Sequence, residues 1–437
     1  MPSRASIVRA HVMHVPRDPF AEPDGALEAF PDGGLAFADG HIVATGAFSD
    51  VRRDHPDAEL IDARDAVLIP GLVDTHVHWP QLHIVGAVGL ELLDWLDQRA
   101  LPAEAQLADA DHARALARDF TGGLAANGTT TALVFGSHFP AAQEAFFEAA
   151  AGSGLRVASG LVVSDRNLRP ELHRTPDEAY AAARELAERW HGHGLLRYAV
   201  TPRFSLSCSD AMLEACGALA AELGNALVTS HINENPKEVR RVAELFPWAG
   251  DYLETYERFD LVGPSSVLAH DVHVTDRELD RLAGAGAGVA HCPSSNAFLG
   301  SGIFPMVRHL DRGVRFALGS DVGAGTGLSL LKEALAAYEM QMVHSAGHRL
   351  SVAQLLWLAT GAGAAVLGVD GDVGDLAPAK SADFLLVRPP AGGTLAAALE
   401  RSASSEQALG ALLTLAREES VAEVRVAGVR VWPRDAA

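Results

Sequence analysis

In "VDTHVHWPQ", Val73 to Gln81, two histidines stand one residue apart where an apolar run ends. Imidazole nitrogens bind zinc, iron and other first-row ions, and residues i and i+2 of a strand share a face. His76 and His78 therefore read as half of a metal claw. Spacing alone is a weak signal, because His191 and His193 in "WHGHG" repeat it in what reads as a turn remote from chemistry. What sets the first pair apart is its company: His231 and His270 end two further apolar runs and Asp321 ends a third. Three imidazoles and a carboxylate can hold a divalent ion and leave a position for water, as catalytic sites require. An ion there lowers the pKa of that water and makes it a nucleophile near neutrality. Glu234, three residues after His231, is placed to carry protons as a general acid and base.

These residues are far apart in sequence, so the fold must gather them. From Ile69 to about Asp370, short β-rich runs alternate with longer Ala/Leu/Glu/Arg stretches of helical spacing, the pattern of β/α units on a parallel sheet. Eight such runs predict a (β/α)₈ barrel, in which the C-terminal strand ends face the active site. His76, Arg203, His231, His270, Asn296 and Asp321 are expected at those ends. Outside the barrel, "GLAFADGHIVATGAF", "ADFLLV" and "VAEVRVAGVRVW" alternate like strands. The expected architecture is thus α/β, with an N-terminal β part at residues 1–68, the barrel at 69–371, and a C-terminal β part at 372–437 that joins the first in a composite β-sandwich.

Composition narrows the partners. Lys+Arg 35 against Asp+Glu 56 gives a net charge of −21, which repels phosphate backbones and anionic membranes. No nucleic acid and no membrane are expected as partners. Three scattered cysteines, Cys208, Cys216 and Cys292, form no C-x-x-C and fit a reducing compartment. The first residues lack the apolar core of a signal peptide, and a cytoplasmic protein is expected.

Taken in order, "PGLVDTHVHWPQ", "TPRFSLSCS", "SHINEN", "HCPSSN" and "GSDVGAG" resemble the amidohydrolase superfamily, and within it the enzymes that deaminate guanine. The resemblance implies hydrolytic deamination of guanine to xanthine and ammonia, in purine catabolism or salvage, in a homodimer. It implies zinc (iron also fitting the ligands) on His76, His78, His231 and Asp321, with His270, Glu234 and Asp321 catalytic. It implies a purine held by Gln81, Trp79, Arg203, Phe204, His231 and Glu234. Dinuclear barrels of this kind use a lysine or acid on the fourth strand to bridge their ions. Lys237, Lys332 and Lys380, the only lysines, lie elsewhere, which favours one ion. The same chemistry would serve a pterin, 8-oxoguanine or a triazine, so the pocket decides the substrate. Trp79 stands where many relatives carry tyrosine and is expected to form a wall of the ring pocket. His138 is expected to cap a loop, and His309 to be solvated.

Overall fold

The computed structural model describes residues 5–433. Eight parallel strands form the barrel: Leu72–His78, Thr129–Phe135, Arg156–Ser159, Leu196–Pro202, Leu227–Ile232, Ser266–His270, Gly288–His291 and Arg315–Leu318. Helices follow on the outside, among them Ala110–Ala126, Pro140–Ser153, Pro176–Trp190, Asp210–Leu223 and Asp276–Ala285. Every residue of the first two strands is buried. A parallel sheet covered on both faces requires this, and it explains why its runs read as nearly continuous apolar sequence.

The seam between the eighth strand and the first is closed by the segments just beyond the apolar runs. The Asp321 N–H donates to the His76 carbonyl at 2.8 Å and the His78 N–H to the Val322 carbonyl at 2.9 Å. Lower in the seam, the Thr75 hydroxyl donates to the Leu318 carbonyl at 2.9 Å. Approach this close needs glycine at two points. A Cβ on Gly319 would lie 2.9 Å from the His76 Cβ, and one on Gly323 would lie 2.5 Å from the Gln81 carbonyl oxygen.

Asp74 is the buried clasp of the seam. Its carboxylate accepts from the Ser320 N–H at 3.0 Å, the Ser320 hydroxyl at 2.5 Å and the His76 N–H at 3.2 Å. Burial pushes its pKa up to about 7 against the pull of those Ser320 and His76 donors.

Both ends of the chain build the second sheet, whose strand order is Val429–Trp432, Val421–Val426, Phe384–Val387, Glu59–Pro70, Ser6–His14, Glu28–Ala38, His41–Ala47. Phe384 pairs with Pro70, and the Gly71 N–H donates to the Asp383 carbonyl at 3.0 Å, so the C-terminal part ties down the entry to the first barrel strand. The chain leaves this sheet at Gly71. One core cluster runs through the barrel and takes in Leu385, Val387 and Val424 from the terminal sheet, while a second, around Val8, Leu35 and Phe384, belongs to that sheet alone. The three cysteines are unpaired and buried, and no described helix is long and apolar enough to cross a membrane.

Replacing Asp74 with alanine orphans three buried donors. We expect Asp74→Ala to lose about 3 kcal/mol of unfolding free energy, read from denaturant melts, whereas exposed Glu214→Ala should change it by less than ~0.5 kcal/mol.

Candidate active site

The barrel mouth gathers the residues that the sequence separates. Ligand atoms of His76, His231, His270 and Asp321 all lie within 4.8 Å of one another, and all four side chains are buried. His78 joins them, its Nε2 being 3.1 Å from His76 Nε2, 3.2 Å from His231 Nε2 and 3.3 Å from Asp321 Oδ1. His76 Nε2 is also 3.3 Å from Asp321 Oδ1. Ligands bound tetrahedrally at ~2.0–2.1 Å stand roughly 3.3–3.4 Å apart. The spacing of these nitrogens and oxygen is that of a single ion's coordination shell.

Hydrogen bonds behind two of the rings fix which nitrogen faces inward. The His231 Nδ1 donates to the Arg203 carbonyl at 2.6 Å, and the His270 Nδ1 to the Asn296 side-chain oxygen at 3.0 Å. Each leaves an Nε2 lone pair for the cluster, the arrangement that orients metal-binding histidines. Burial first, then the neighbouring imidazoles, hold His231 well below its ordinary pKa, so its ring is neutral. Asp321 stays ionised: its hydrogen bonds with His76 and His78 outweigh the burial that opposes its charge.

Backbone strain marks the same places. His270 has φ 78°, Asp321 has φ 47° and Asn233, one residue before Glu234, has φ 51°. Such left-handed conformations cost non-glycine residues on the order of 1–3 kcal/mol each and persist where surrounding contacts over-determine them. Each turns the chain sharply at or just beyond a strand end, and His270, Glu234 and Asp321 all line the cavity at the mouth.

Glu234 reaches the cluster from just before the helix Pro236–Leu245. Its Oε2 is 3.5 Å from His270 Nε2, and its Oε1 accepts from the Ser301 hydroxyl at 3.3 Å. Burial, and then the negative charge of Asp321, raise its pKa well above the ordinary carboxyl value. Two carboxyl groups at one cluster therefore have opposite tendencies, Asp321 to ionise and Glu234 to keep its proton. That division is the signature of an acid and a base.

The cluster opens onto a small cavity lined by Gln81, Arg203, Phe204, Glu234, Leu299 and three residues of the segment after the first strand, Leu92, Trp95 and Leu96. Gln81 arrives on a 3₁₀ turn, Trp79–Ile84, begun by Pro80. Arg203 follows the fourth strand directly.

Three expectations are corrected here. Trp79 is not a wall of the cavity. It is fully buried in the core, stacked on Phe146 with ring centroids 5.3 Å apart, its Nε1 donating to Gln143 at 3.4 Å. Alternation was the available signal: His76 and His78 face the mouth, so the parity of Val77 and Trp79 points away. The aromatic side chains of the cavity lining are those of Trp95 and Phe204. Asn296 lies on the helix Pro293–Phe298 and not at a strand end, yet it reaches the site through His270. His309 is fully buried, with its Nε2 2.9 Å from Asp271 Oδ2.

Glu104 is the residue that the sequence hid. It is buried behind the cavity lining and bonded to both Gln81 and Arg203. His138, expected to cap a loop, is buried with its Nε2 3.2 Å from the Glu104 carboxylate. His191, by contrast, accepts from the Tyr198 N–H at 3.0 Å and bonds Asn225 at 2.9 Å, a structural role in its turn.

Residues 67–431 match the family model described as "Amidohydrolase family". The chain belongs to the amidohydrolase family. Its relatives within that family are more particular. It is 55% identical, over 98% of its length and 99% of the other's, to a probable guanine deaminase of Deinococcus radiodurans. A guanine deaminase of C. acetobutylicum, solved with guanine in its active site, superposes with a TM-score of 0.90 at 25% identity, covering 98% of this chain and 100% of that one. An adenosine deaminase of Xanthomonas campestris with bound zinc reaches a TM-score of 0.83 at 27% identity, covering 98% and 93%. Residues 33–58 also match a bacterial imidazolonepropionase-like composite domain.

Because Trp79 packs in the core, we expect Trp79→Phe to cost about 1–3 kcal/mol of stability. The Michaelis constant for the substrate should stay within about twofold of the unaltered protein's, a separation that melts and steady-state kinetics together will check.

Proposed function

We propose that this protein is a zinc-dependent guanine deaminase, converting guanine and water to xanthine and ammonia. The observation that carries the proposal is a metal-competent cluster sharing one small cavity with Glu234, Gln81 and Arg203, in a chain similar over its whole length to a probable guanine deaminase. His76, His78, His231 and Asp321 would hold the ion, with His270 beside it. The donor set, neutral imidazoles and one carboxylate, suits zinc and also iron. Bound there, the ion would act as a Lewis acid and lower the pKa of water toward ~7.

The chain's own groups supply the rest. Asp321, kept ionised by His76 and His78, accepts a proton from the water that attacks C2 of the base. Glu234, which burial and Asp321 keep protonated, delivers that proton to the adjacent ring nitrogen, takes the proton of the new C2 hydroxyl and hands it to the departing amine, and is reprotonated by the proton that Asp321 took from the water. A C2–O bond forms, the C2–N bond breaks, and ammonia leaves. His270, 3.5 Å from Glu234 and 3.9 Å from Asp321, stands between the two carboxyl groups and steadies the reacting oxygen. Arg203 and Gln81 hold the ring by directional N–H donors, which a planar amide-bearing heterocycle requires. Leu92, Trp95 and Leu96 close the cavity above it and exclude water.

Ammonia release from guanine, 8-oxoguanine, isoxanthopterin, adenine and cytosine tests the assignment. Guanine should lead by kcat/KM, and another substrate in front would overturn it. Glu234→Gln should keep its metal, measured by elemental analysis, while kcat falls at least about 1,000-fold. A variant that keeps most of its turnover would remove Glu234 from proton transfer. Chelation should abolish activity, and added zinc should restore it.

A further inference from the structure

The proposed reaction makes no use of one buried, ionised group that stands behind Gln81 and Arg203. Glu104, only 2% exposed, accepts from Gln81 Nε2 at 2.7 Å and from Arg203 Nη1 at 3.0 and 3.2 Å to its two oxygens, while His138 Nε2 stands 3.2 Å from Oε2. It arrives on the short helix Leu101–Ala105, at the end of the segment whose Leu92, Trp95 and Leu96 cover the cavity. Burial alone would raise its pKa, but Arg203, then His138 and Gln81, hold it at about 2.

A group that only accepts has two effects on its neighbours. The first concerns Gln81, whose amide ends are otherwise free to exchange. The carboxylate takes Gln81 Nε2 as a donor, and the Gly323 N–H gives to Gln81 Oε1 at 3.1 Å. Neither partner tolerates the flipped amide, so one face of Gln81 is presented to the cavity in a fixed sense. The second concerns charge. The Arg203 guanidinium is 3% exposed, and among the described residues Glu104 is its one carboxylate partner. A lone buried cation would favour anionic ligands. Paired through one nitrogen, the guanidinium keeps its remaining donors and loses its net charge.

We propose that Glu104 is the positioning residue that sets the ring specificity of this site. It orders Gln81 and Arg203 into one rigid donor set and cancels the guanidinium's charge, which selects an uncharged ring bearing a carbonyl oxygen. The inference rests on the deaminase assignment above and adds a residue that neither touches the ion nor moves a proton. His138 backs the carboxylate on the side away from Gln81 and belongs to the same support.

The test compares guanine turnover with inhibition by 2-aminopurine, which keeps the amine but lacks the ring carbonyl. In Glu104→Gln, the KM for guanine should rise about 30-fold or more while kcat stays within about fivefold. The inhibition constant of 2-aminopurine should move less than about threefold, because the lost orientation acts on the carbonyl. Glu104→Asp keeps the charge and retracts it by one methylene, so it folds with Arg203 compensated and should show a smaller rise in KM, about fivefold, with the same selectivity. Metal content should match the unaltered protein's in both variants. A guanine KM within about twofold of the unaltered value, or equal losses for guanine and 2-aminopurine, would overturn the role; if Glu104→Gln does not fold, the same comparison in Glu104→Asp decides. An unaltered protein that releases no ammonia from guanine would instead defeat the deaminase assignment, and the inference with it.

Discussion

The structure depends on how its barrel closes. The eighth strand and the first do not pair along their apolar runs. They meet through Val322 and three residues of the cluster, Asp321, His76 and His78. Asp74 fixes this join from beneath by holding Ser320 and the His76 N–H, and Gly319 allows the backbones to touch. The distance between the two imidazoles of one strand and the carboxylate of the other is therefore set by barrel closure. A site built across a seam shares the rigidity of the sheet and needs no loop to find its geometry.

Electrostatics imposes the second level of order. An isolated ion moved from water into a protein interior costs several kcal/mol, so each buried charge at this mouth is found with a partner. Asp321 is matched by imidazoles and stays ionised, Glu104 is matched by Arg203 and stays ionised, and Glu234 lacks a close cation and keeps its proton. Three buried carboxyl groups around one mouth thus differ in charge through their neighbours alone, Asp321 and Glu104 ionised and Glu234 protonated. Protonation of Glu234 is a property of its place, since the residue type is the same as that of Glu104.

Much of this was legible in the sequence because regular elements carry their own period. The eight apolar runs are the eight barrel strands, and His76, His231, His270 and Asp321 were recognisable because a parallel strand is apolar until it reaches the mouth. Irregular chain carries no such period. Glu104 sits among short helical pieces between Leu92 and Ala105, where an acid looks like any solvated acid until its partners, 23 and 99 residues distant, are seen. Trp79 was misplaced because proximity to His78 outweighed strand parity. His309 was assigned to solvent because helical spacing says nothing of the Asp271 that draws its ring inward.

The terminal sheet has a consequence for the order in which the chain can be completed during synthesis. The strand Glu59–Pro70 emerges early, but its neighbour Phe384–Val387 leaves the ribosome more than three hundred residues later, and with it Asp383, which holds Gly71. Asp321 and the rest of the closing seam also arrive late. Domains usually form from the N-terminus onward as translation proceeds, yet here the anchor of the first histidine-bearing strand is among the last segments made. The nascent chain must carry exposed β edges until Phe384–Val387 has been made, so the strand that bears His76 and His78 gains its anchor only after Asp321 and the rest of the cluster have emerged.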